Sequence, residues 1–210
     1  MYLRQDEADR LLQTHLAELV SSLRGHHSFL EELQGGDDWA FVIKAQALIE
    51  GAVTQAILAQ IGDGRIKKTI EVMQLVGEEV SKLALAKDFG LFTAEQRRFI
   101  KRMASLRNRL AHRVENASFT FSEYVASLNR DSLRDWQESI IWFTDTSKSR
   151  KVWASIAATQ PRAAIYLGTF LLVALLTIEG SEKDVLRKID ATAETTTKEL
   201  LEILASLKSV

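Results

Sequence analysis

The sequence contains no cysteine, one proline and only ten glycines in 210 residues. Without cysteine the chain can form neither disulfide bonds nor thiolate metal sites, which excludes zinc ribbons and cysteine nucleophiles. So few prolines and glycines disfavour the many tight turns of an all-β fold. Alanine, leucine, glutamate, lysine and glutamine are abundant, as long helices prefer. The composition therefore predicts an all-α protein, with a reducing cytoplasm as its natural compartment.

The motifs of several kinds of catalysis are also absent. The chain has no glycine-rich phosphate loop, no His-Glu-x-x-His zinc motif and no serine elbow sequence. Its N-terminus lacks an apolar signal region and becomes acidic within a few residues, unlike a secretory signal. We therefore predict a cytoplasmic protein that uses no cofactor and no metal.

One apolar run resembles a membrane span. Residues Ala163–Ile178 contain sixteen residues without a charge, between Arg162 and Glu179. A bilayer core requires about 20 apolar residues, and this run is shorter and contains two threonines. We predict that it is a buried central helix and that the protein does not enter a membrane.

Hydrophobic periodicity predicts an acidic N-terminal helix over residues 1–34. Its apolar positions recur every three or four residues, and residues 1–38 carry a net charge of −5. Such a helix can pack near a basic helix of its own protomer or of a partner. The apolar positions are Leu12, Leu16, Leu19 or Val20, Leu23, and then Phe29, Leu30 and Leu33, and Gly25 can interrupt this stripe.

The next predicted helix is central to the fold. Asp38 is its N-cap candidate, after a Gly-Gly turn, and the segment from Trp39 to Ile61 is apolar over more than half of its circumference. Glu50 lies within this segment, either on the remaining polar strip or as the partner of an arginine on a later helix. A helical pattern then runs from Thr69 to Phe89, with Gly77 as a break or kink.

The sequence also predicts helices in the second half of the chain. Asp131 or Ser132 is predicted to cap a helix that reaches Phe143, and a short helix around Trp153 must stop before Pro161, since the residue before a proline is pushed out of the α region.

A change of organisation is predicted near Gly180. This glycine ends the central helix, and Ser181-Glu-Lys-Asp184 has the form of a capping box that opens a last helix to about Leu207. We therefore divide the chain into a helical domain over residues 1–180, with its core bundle at 38–180, and a C-terminal amphipathic arm over residues 181–210.

The most informative segment begins after Gly90, which is placed to end the preceding helix in a left-handed conformation. Thr93-Ala-Glu-Gln96 has the form of a capping box, so a helix begins near Thr93. An apolar stripe at spacings of four, three and four then faces the core. The stripe consists of Phe99, Met103, Leu106 and Leu110.

This helix carries a charge unlike that of the whole chain. Residues 93–113 contain seven basic residues and one acid, a net charge of +6, whereas the whole chain has −1. A basic helical face of this density suits a polyanion such as RNA, or else it is a solvated face whose Lys and Arg stems cover apolar surface. The candidate RNA-binding residues are Arg97, Arg98, Lys101, Arg102, Arg109 and Arg113.

The pattern at the end of this helix, Leu106-Arg107-Asn108-Arg109-Leu110-Ala111-His112, resembles the signature of the HEPN superfamily (higher eukaryote and prokaryote nucleotide-binding domains): Arg, a polar residue, a spacer, then His. The order of segments around it is similar to that of the mannitol operon repressor group. The resemblance implies an all-α HEPN-like bundle that dimerises with its motif helices facing each other. Many HEPN members are metal-independent endoribonucleases, whereas the repressor group is described as regulatory.

The chemistry of RNA cleavage suits three residues of the motif. His112 can move protons near neutral pH, Arg107 can hold a phosphate by a bidentate contact, and Asn108 can orient the imidazole or the substrate. At about 100° per residue, Asn108 and His112 share a helix face while Arg107 lies about 140° from His112. Convergence therefore needs the length of the Arg side chain, a distorted helix end or a second copy of the motif, as the HEPN resemblance implies.

We therefore predict a homodimeric endoribonuclease of the toxin or phage-defence type, with Arg107, Asn108 and His112 as catalytic residues. RNA, and an antitoxin or regulatory protein, are its predicted partners. The alternative is a non-catalytic regulatory or interaction protein like the mannitol repressor group. A purely structural helical dimer is the third reading. The motif residues also have a structural interpretation, in which Arg107 and Asn108 bond the following loop or the C-terminal carbonyls of the helix and His112 acts as a cap.

Overall fold

A computed structural model of the protein describes residues 36–111, 117–144 and 147–207. These residues form eight α-helices and a short 3-10 helix at Gly64–Ile66, with no β-strand among them. The predicted all-α helical bundle is therefore confirmed. The helices are α1 Asp38–Ile61, α2 Lys67–Val72, α3 Lys82–Asp88, α4 Ala94–Ala111, α5 Phe121–Ala126, α6 Arg130–Ile140, α7 Ser147–Thr159 and α8 Pro161–Leu207. The predicted N-terminal helix over residues 1–34 lies outside the described residues.

The two most apolar helices, α1 and α8, run side by side in the same direction. Arg162 at the start of α8 contacts Asp38 at the start of α1, and Arg187 farther along α8 lies against Gly62, the C-cap of α1. The remaining helices pack around this pair. Helices α3 and α4 pack on α1, α7 packs on α8, and α6 packs against both α4 and α7. One face of the first half of α8 is buried, with Ile165, Thr169 and Leu172 inaccessible to solvent, whereas Leu175 and Ile178 are exposed.

Length and composition alone would allow two helices, α1 and the Pro161–Asp190 part of α8, to cross a membrane. The core helices of soluble proteins often pass the same test, and here the two helices contact each other in the core. The cytoplasmic location remains a prediction.

The start of α1 differs from the prediction by one residue. Asp37 is the N-cap, because its Oδ1 accepts a hydrogen bond of 2.7 Å from the backbone N–H of Ala40. The predicted cap, Asp38, is the first helical residue instead. Its carboxylate accepts a hydrogen bond from the N–H of Phe121 and pairs with Arg162, so it holds the starts of three helices together.

The helical pattern predicted from Thr69 to Phe89 is interrupted over a longer stretch than Gly77 suggested. Helix α2 ends at Val72 and α3 begins at Lys82. The intervening loop is closed by backbone hydrogen bonds from Lys82 N to Gln74 O and from Leu83 N to Leu75 O. The Lys82 side chain is buried and donates to Glu50 Oε1 at 2.8 Å. Glu50 is therefore the partner of a lysine, and neither a free polar residue nor the partner of an arginine on α4.

The helix break predicted at Gly180 is wrong. Helix α8 continues through this residue from Pro161 to Leu207. A Cβ built on Gly180 would lie 3.6 Å from the Cβ of Ala59, so the glycine sits where α8 passes close to α1. The hydroxyl of Ser181 donates to the carbonyl of Thr177, one turn earlier, and caps nothing. The assignment of residues 181–210 to a separate arm stays a prediction.

The caps in the second half were predicted only in part. Asn129 caps α6 by accepting from Ser132 N at 2.8 Å, in place of the predicted Asp131 or Ser132. Helix α5 is short and is capped by Thr120, whose hydroxyl accepts from Glu123 N at 3.2 Å. Helix α7 ends before Pro161, as predicted.

Candidate nucleic-acid interface

The basic helix α4 begins as the sequence predicts. Gly90 has a φ of +69°, and the two hydrogen bonds of the capping box are formed, from Thr93 N to Gln96 Oε1 (2.8 Å) and from Gln96 N to Thr93 Oγ1 (3.2 Å). The pKa of the only acid on the helix, Glu95, is lowered by a hydrogen bond from its own backbone N–H and by one from the Thr93 hydroxyl. The start of α4 is therefore fixed locally, by its own first turn.

The apolar stripe of α4 determines which side of the helix faces solvent. Phe99, Met103, Leu106 and Leu110 are at most 3% exposed, so all four face the core. The basic residues of the helix consequently project from the opposite side. Lys101, Arg107 and Arg109 are exposed, whereas Arg97 and Arg102 are partly covered.

The two ends of this basic surface are bound to the fold in different ways. At the N-terminal end Arg97 Nη1 donates to the backbone carbonyl of Phe92 at 2.5 Å, which directs its guanidinium toward the preceding turn. At the C-terminal end the guanidinium of Arg109 lies over the ring of Tyr124, 5.4 Å from its centroid. Arg97 and Arg109 thus contribute charge to the surface while also contacting the protein.

An acidic wall on α6 faces the basic surface, and sequence reasoning missed it. Arg98 Nη1 lies 3.4 Å from Glu138 Oε2, and Arg102 pairs with Asp135. Asp131, Asp135 and Glu138 are spaced four and three apart, which places them on one face of α6 and could have signalled this wall.

Between the two walls lies an open groove of about 410 Å³. Arg97, Arg98, Lys101, Arg102 and Ser105 form one wall, and Asp135 and Ser139 form the other. The groove therefore contains cations that can bind phosphate, but two of these cations, Arg98 and Arg102, already pair with carboxylates of α6.

The motif residues lie at the other end of α4. Arg107 Nη1 donates to Asn108 Oδ1 at 3.2 Å, and both side chains are exposed. The carbonyl of Leu110 accepts a hydrogen bond from the indole Nε1 of Trp39, which fixes the last turn of α4 to the first turn of α1. The structure thus brings Arg107 and Asn108 together, whereas His112 and Arg113 lie outside the described residues.

A cluster of aromatic rings lies beside this helix end. Phe121 packs edge-on against Phe41, and Tyr124 packs edge-on against Trp136 with 5.2 Å between ring centroids. Trp136 is fully buried and donates to the carbonyl of Ala157, so α6 is fixed to α7. The cluster supports α5, on which Tyr124 meets Arg109.

In the described ranges no three histidines, aspartates or glutamates lie close enough to hold a metal ion.

Two other cavities lie at the two ends of α1. A groove of about 890 Å³ lies where α1 and α8 begin. A smaller cavity of about 210 Å³ lies where α1 ends beside α8 and includes Glu179 and Glu182. Burial, followed by the charge of Glu182, raises the pKa of Glu179.

Comparison with known proteins found no family model, no curated protein and no solved structure that matches this chain. The likeness to HEPN domains therefore depends on the short motif of α4 and on the order of the helices.

Proposed function

We propose that the protein is a homodimeric, metal-independent endoribonuclease that uses Arg107, Asn108 and His112. The observation that supports this best is the hydrogen bond from Arg107 to Asn108 at the exposed end of α4. On an ideal helix Arg107 points about 140° away from His112, whereas Asn108 shares the face of His112 because it lies one turn earlier. The bond draws the guanidinium round toward that shared face.

The proposed reaction needs no cofactor. The imidazole of His112 takes the proton from a ribose 2′-OH, and the 2′-oxygen attacks the adjacent phosphorus. The bond from phosphorus to the 5′-oxygen then breaks, and this leaving oxygen takes a proton from the His112 of a second copy. The products are a 2′,3′-cyclic phosphate and a 5′-hydroxyl. Arg107 stabilises the extra negative charge on the phosphorane.

The basic side of α4 supplies the binding surface for the RNA backbone. Arg98, Lys101 and Arg102 line the groove beside α6, and Arg109 lies over the Tyr124 ring at the motif end of the helix. Exposed ion pairs such as those to Asp135 and Glu138 contribute only about 0–1 kcal/mol each. Phosphate oxygens can therefore replace these carboxylates at little cost when RNA binds.

The test is a cleavage assay with purified protein, a labelled single-stranded RNA and EDTA. We expect wild type to release fragments with 2′,3′-cyclic phosphate ends, and both His112→Ala and Arg107→Ala to reduce the rate by about 10²–10⁴-fold, as loss of a proton-transfer or charge-stabilising group does. Arg65→Ala, which removes an exposed cation at the 3-10 helix, is the matched control and should cleave normally. Folded wild-type protein that leaves the RNA intact would overturn the proposal.

A second candidate is regulatory binding without cleavage, and the acidic wall on α6 favours it. A groove with cations on one side and carboxylates on the other also suits a protein partner of mixed charge. In this case Lys101→Glu should abolish capture of that partner, while wild type and His112→Ala should be equally harmless on expression. Growth arrest by wild type alone would support the nuclease instead.

A further inference from the structure

An open groove lies at the end of the bundle where α1 and α8 begin. It has a volume of about 890 Å³ and lies between α1, α5 and the start of α8. Its lining is mainly apolar, and three of its lining residues, Ser122, Ala126 and Ala163, are small and exposed. Small side chains allow another helix to approach closely. The larger apolar contacts come from Phe41, Phe121, Val125 and Tyr166.

The charged groups of this groove are already used within the fold. Asp38 Oδ2 accepts from the backbone N–H of Phe121 at 2.8 Å, and its Oδ1 lies 3.3 Å from Arg162 Nη1. The guanidinium of Arg162 also lies over the ring of Phe41, 4.8 Å from its centroid. An occupant therefore needs apolar side chains and no complementary charge.

The chain itself enters at the rim of the groove. The backbone carbonyl of Gly36 accepts a hydrogen bond of 3.0 Å from Arg162, which lines the groove. Gly36 has a φ of +82°, a conformation that glycine adopts readily and that turns the chain just before α1. Residues 1–34 are therefore attached within two residues of the groove.

The sequence of this N-terminal segment matches what the groove needs. Leu12, Leu16 and Leu23 share one helical face. On one straight helix Leu16 would lie about 30 Å from Gly36, so this face reaches the groove only when the segment turns back at Gly25. A short covalent link gives an attached segment an effective concentration on the order of millimolar. A free partner must therefore compete with a segment that is always present.

We propose that the segment of residues 1–34 turns at Gly25 and docks the leucine face of an amphipathic helix over residues 1–24 into the groove formed by α1, α5 and the start of α8, in the same chain. This proposal is independent of the nuclease, because it uses none of the residues of α4. The docked helix covers Val125 and Tyr166 and places its acidic side toward solvent.

Cysteine crosslinking tests the contact directly, because the chain has no cysteine of its own. Leu16→Cys is combined with Ala126→Cys on the groove. The matched control combines Leu16→Cys with Val72→Cys, an exposed position on α2, after the far end of α1. We expect a disulfide within one chain for the groove pair, formed at least about tenfold faster than in the control because of the higher effective concentration. Equal rates, or a disulfide only between two chains, would overturn the proposal.

A pair of charge substitutions gives an independent readout. Leu16→Asp should lower the melting temperature of the full chain, and Val125→Asp should do so as well because each spoils the same contact. In the Val125→Asp background, Leu16→Asp should change the melting temperature almost no further. Trypsin should cleave the Val125→Asp variant at Arg10 and Arg24 several-fold faster than it cleaves wild type. An undiminished effect of Leu16→Asp in both backgrounds would show that the segment does not use this groove.

Discussion

The indole Nε1 of Trp39 donates a hydrogen bond of 3.4 Å to the backbone carbonyl of Leu110, 71 residues later. This contact fixes the end of the motif helix to the start of α1. The last carbonyls of a helix have no partner within the helix, so a side-chain donor satisfies a group that would otherwise depend on water. The exposed residues Arg107 and Asn108 lie in the turn that this bond holds.

Trp39→Phe should therefore destabilise the protein. The substitution keeps an aromatic ring but removes the N–H donor, and loss of one such hydrogen bond costs about 0.5–1.5 kcal/mol. Urea unfolding followed by circular dichroism measures this as a lower midpoint. Trp153→Phe is the control, because Trp153 is also partly buried and packs on Phe143. An equal loss in both variants would mean that the hydrogen bond of Trp39 contributes nothing.

The buried amine of Lys82 makes the two members of its ion pair unequal. Its side chain is 3% exposed, whereas that of its partner Glu50 is 41% exposed. Glu50→Gln removes the negative charge that balances a buried ammonium and leaves it neutral acceptors such as the carbonyl of Glu71, so it should cost about 1–3 kcal/mol. Lys82→Met keeps the apolar stem and leaves a carboxylate that water can reach, so it should cost less. Thermal melts of both variants give the order, and the reverse order would contradict this account.

Features fixed by a few neighbouring residues were predictable from the sequence. The capping box of Thr93 and Gln96 and the left-handed Gly90 depend on contacts within one helical turn, and both are formed as predicted. The apolar stripe of α4 was predictable because the helical period determines which side chains share a face. Pro161 stops a helix by its own ring, whatever surrounds it.

Features decided by distant contacts were not predictable. Gly180 and Ser181 have the local pattern of a helix end, but contact with Ala59 favours a glycine inside a continuous helix. The candidate site was likewise predictable only in part. The sequence indicates the basic face of α4, whereas the ion pairs of this face with Asp135 and Glu138 depend on how α6 packs. The position of His112 relative to Arg107 stays a prediction.

In the proposed ribonuclease, the two acids of α6 should weaken RNA binding. Asp135→Asn with Glu138→Gln removes two carboxylates that compete with phosphate for Arg102 and Arg98. Each exposed pair contributes about 0.2–1 kcal/mol, which corresponds to an affinity gain of about 1.4–5-fold per pair. Fluorescence anisotropy with a labelled single-stranded RNA at low salt measures the gain.

The control for this experiment is Asp63→Asn, which also removes a carboxylate from an exposed ion pair but at the 3-10 helix, where Asp63 pairs with Arg65. It should leave RNA affinity nearly unchanged. If both changes raise affinity equally per charge removed, then net charge and not the groove controls RNA binding.

Protonation of Glu179 should stabilise the fold. Desolvation by burial and the nearby charge of Glu182 raise the pKa of this carboxyl in the folded protein, and Lys183 partly opposes them. A folded-state pKa above the unfolded value means that this stability is present at low pH and is lost as pH rises through the folded pKa. The glutamine of Glu179→Gln stays neutral and does not lose this stability as pH rises. The variant should therefore melt at a higher temperature than wild type at about pH 7, and at the same temperature as wild type at about pH 4. A constant difference across this range would contradict the assignment.

Two glycines on α8 should respond in opposite ways to alanine. At Gly180 the new Cβ would lie 3.6 Å from the Cβ of Ala59, an ordinary contact, so Gly180→Ala should stabilise by about 0.5–1 kcal/mol because alanine loses less backbone entropy in a helix. At Gly168 the Cβ would lie 3.2 Å from Trp142 Nε1 and 3.3 Å from Phe99 Cζ, so Gly168→Ala should destabilise by about 1–3 kcal/mol through overpacking. The two variants have the same chemistry in one helix, so each serves as the control for the other in thermal melts. Stabilisation by both would mean that the core around Trp142 can make room for a methyl group, and destabilisation by both would mean that the contact of α8 with α1 at Ala59 is too close for one.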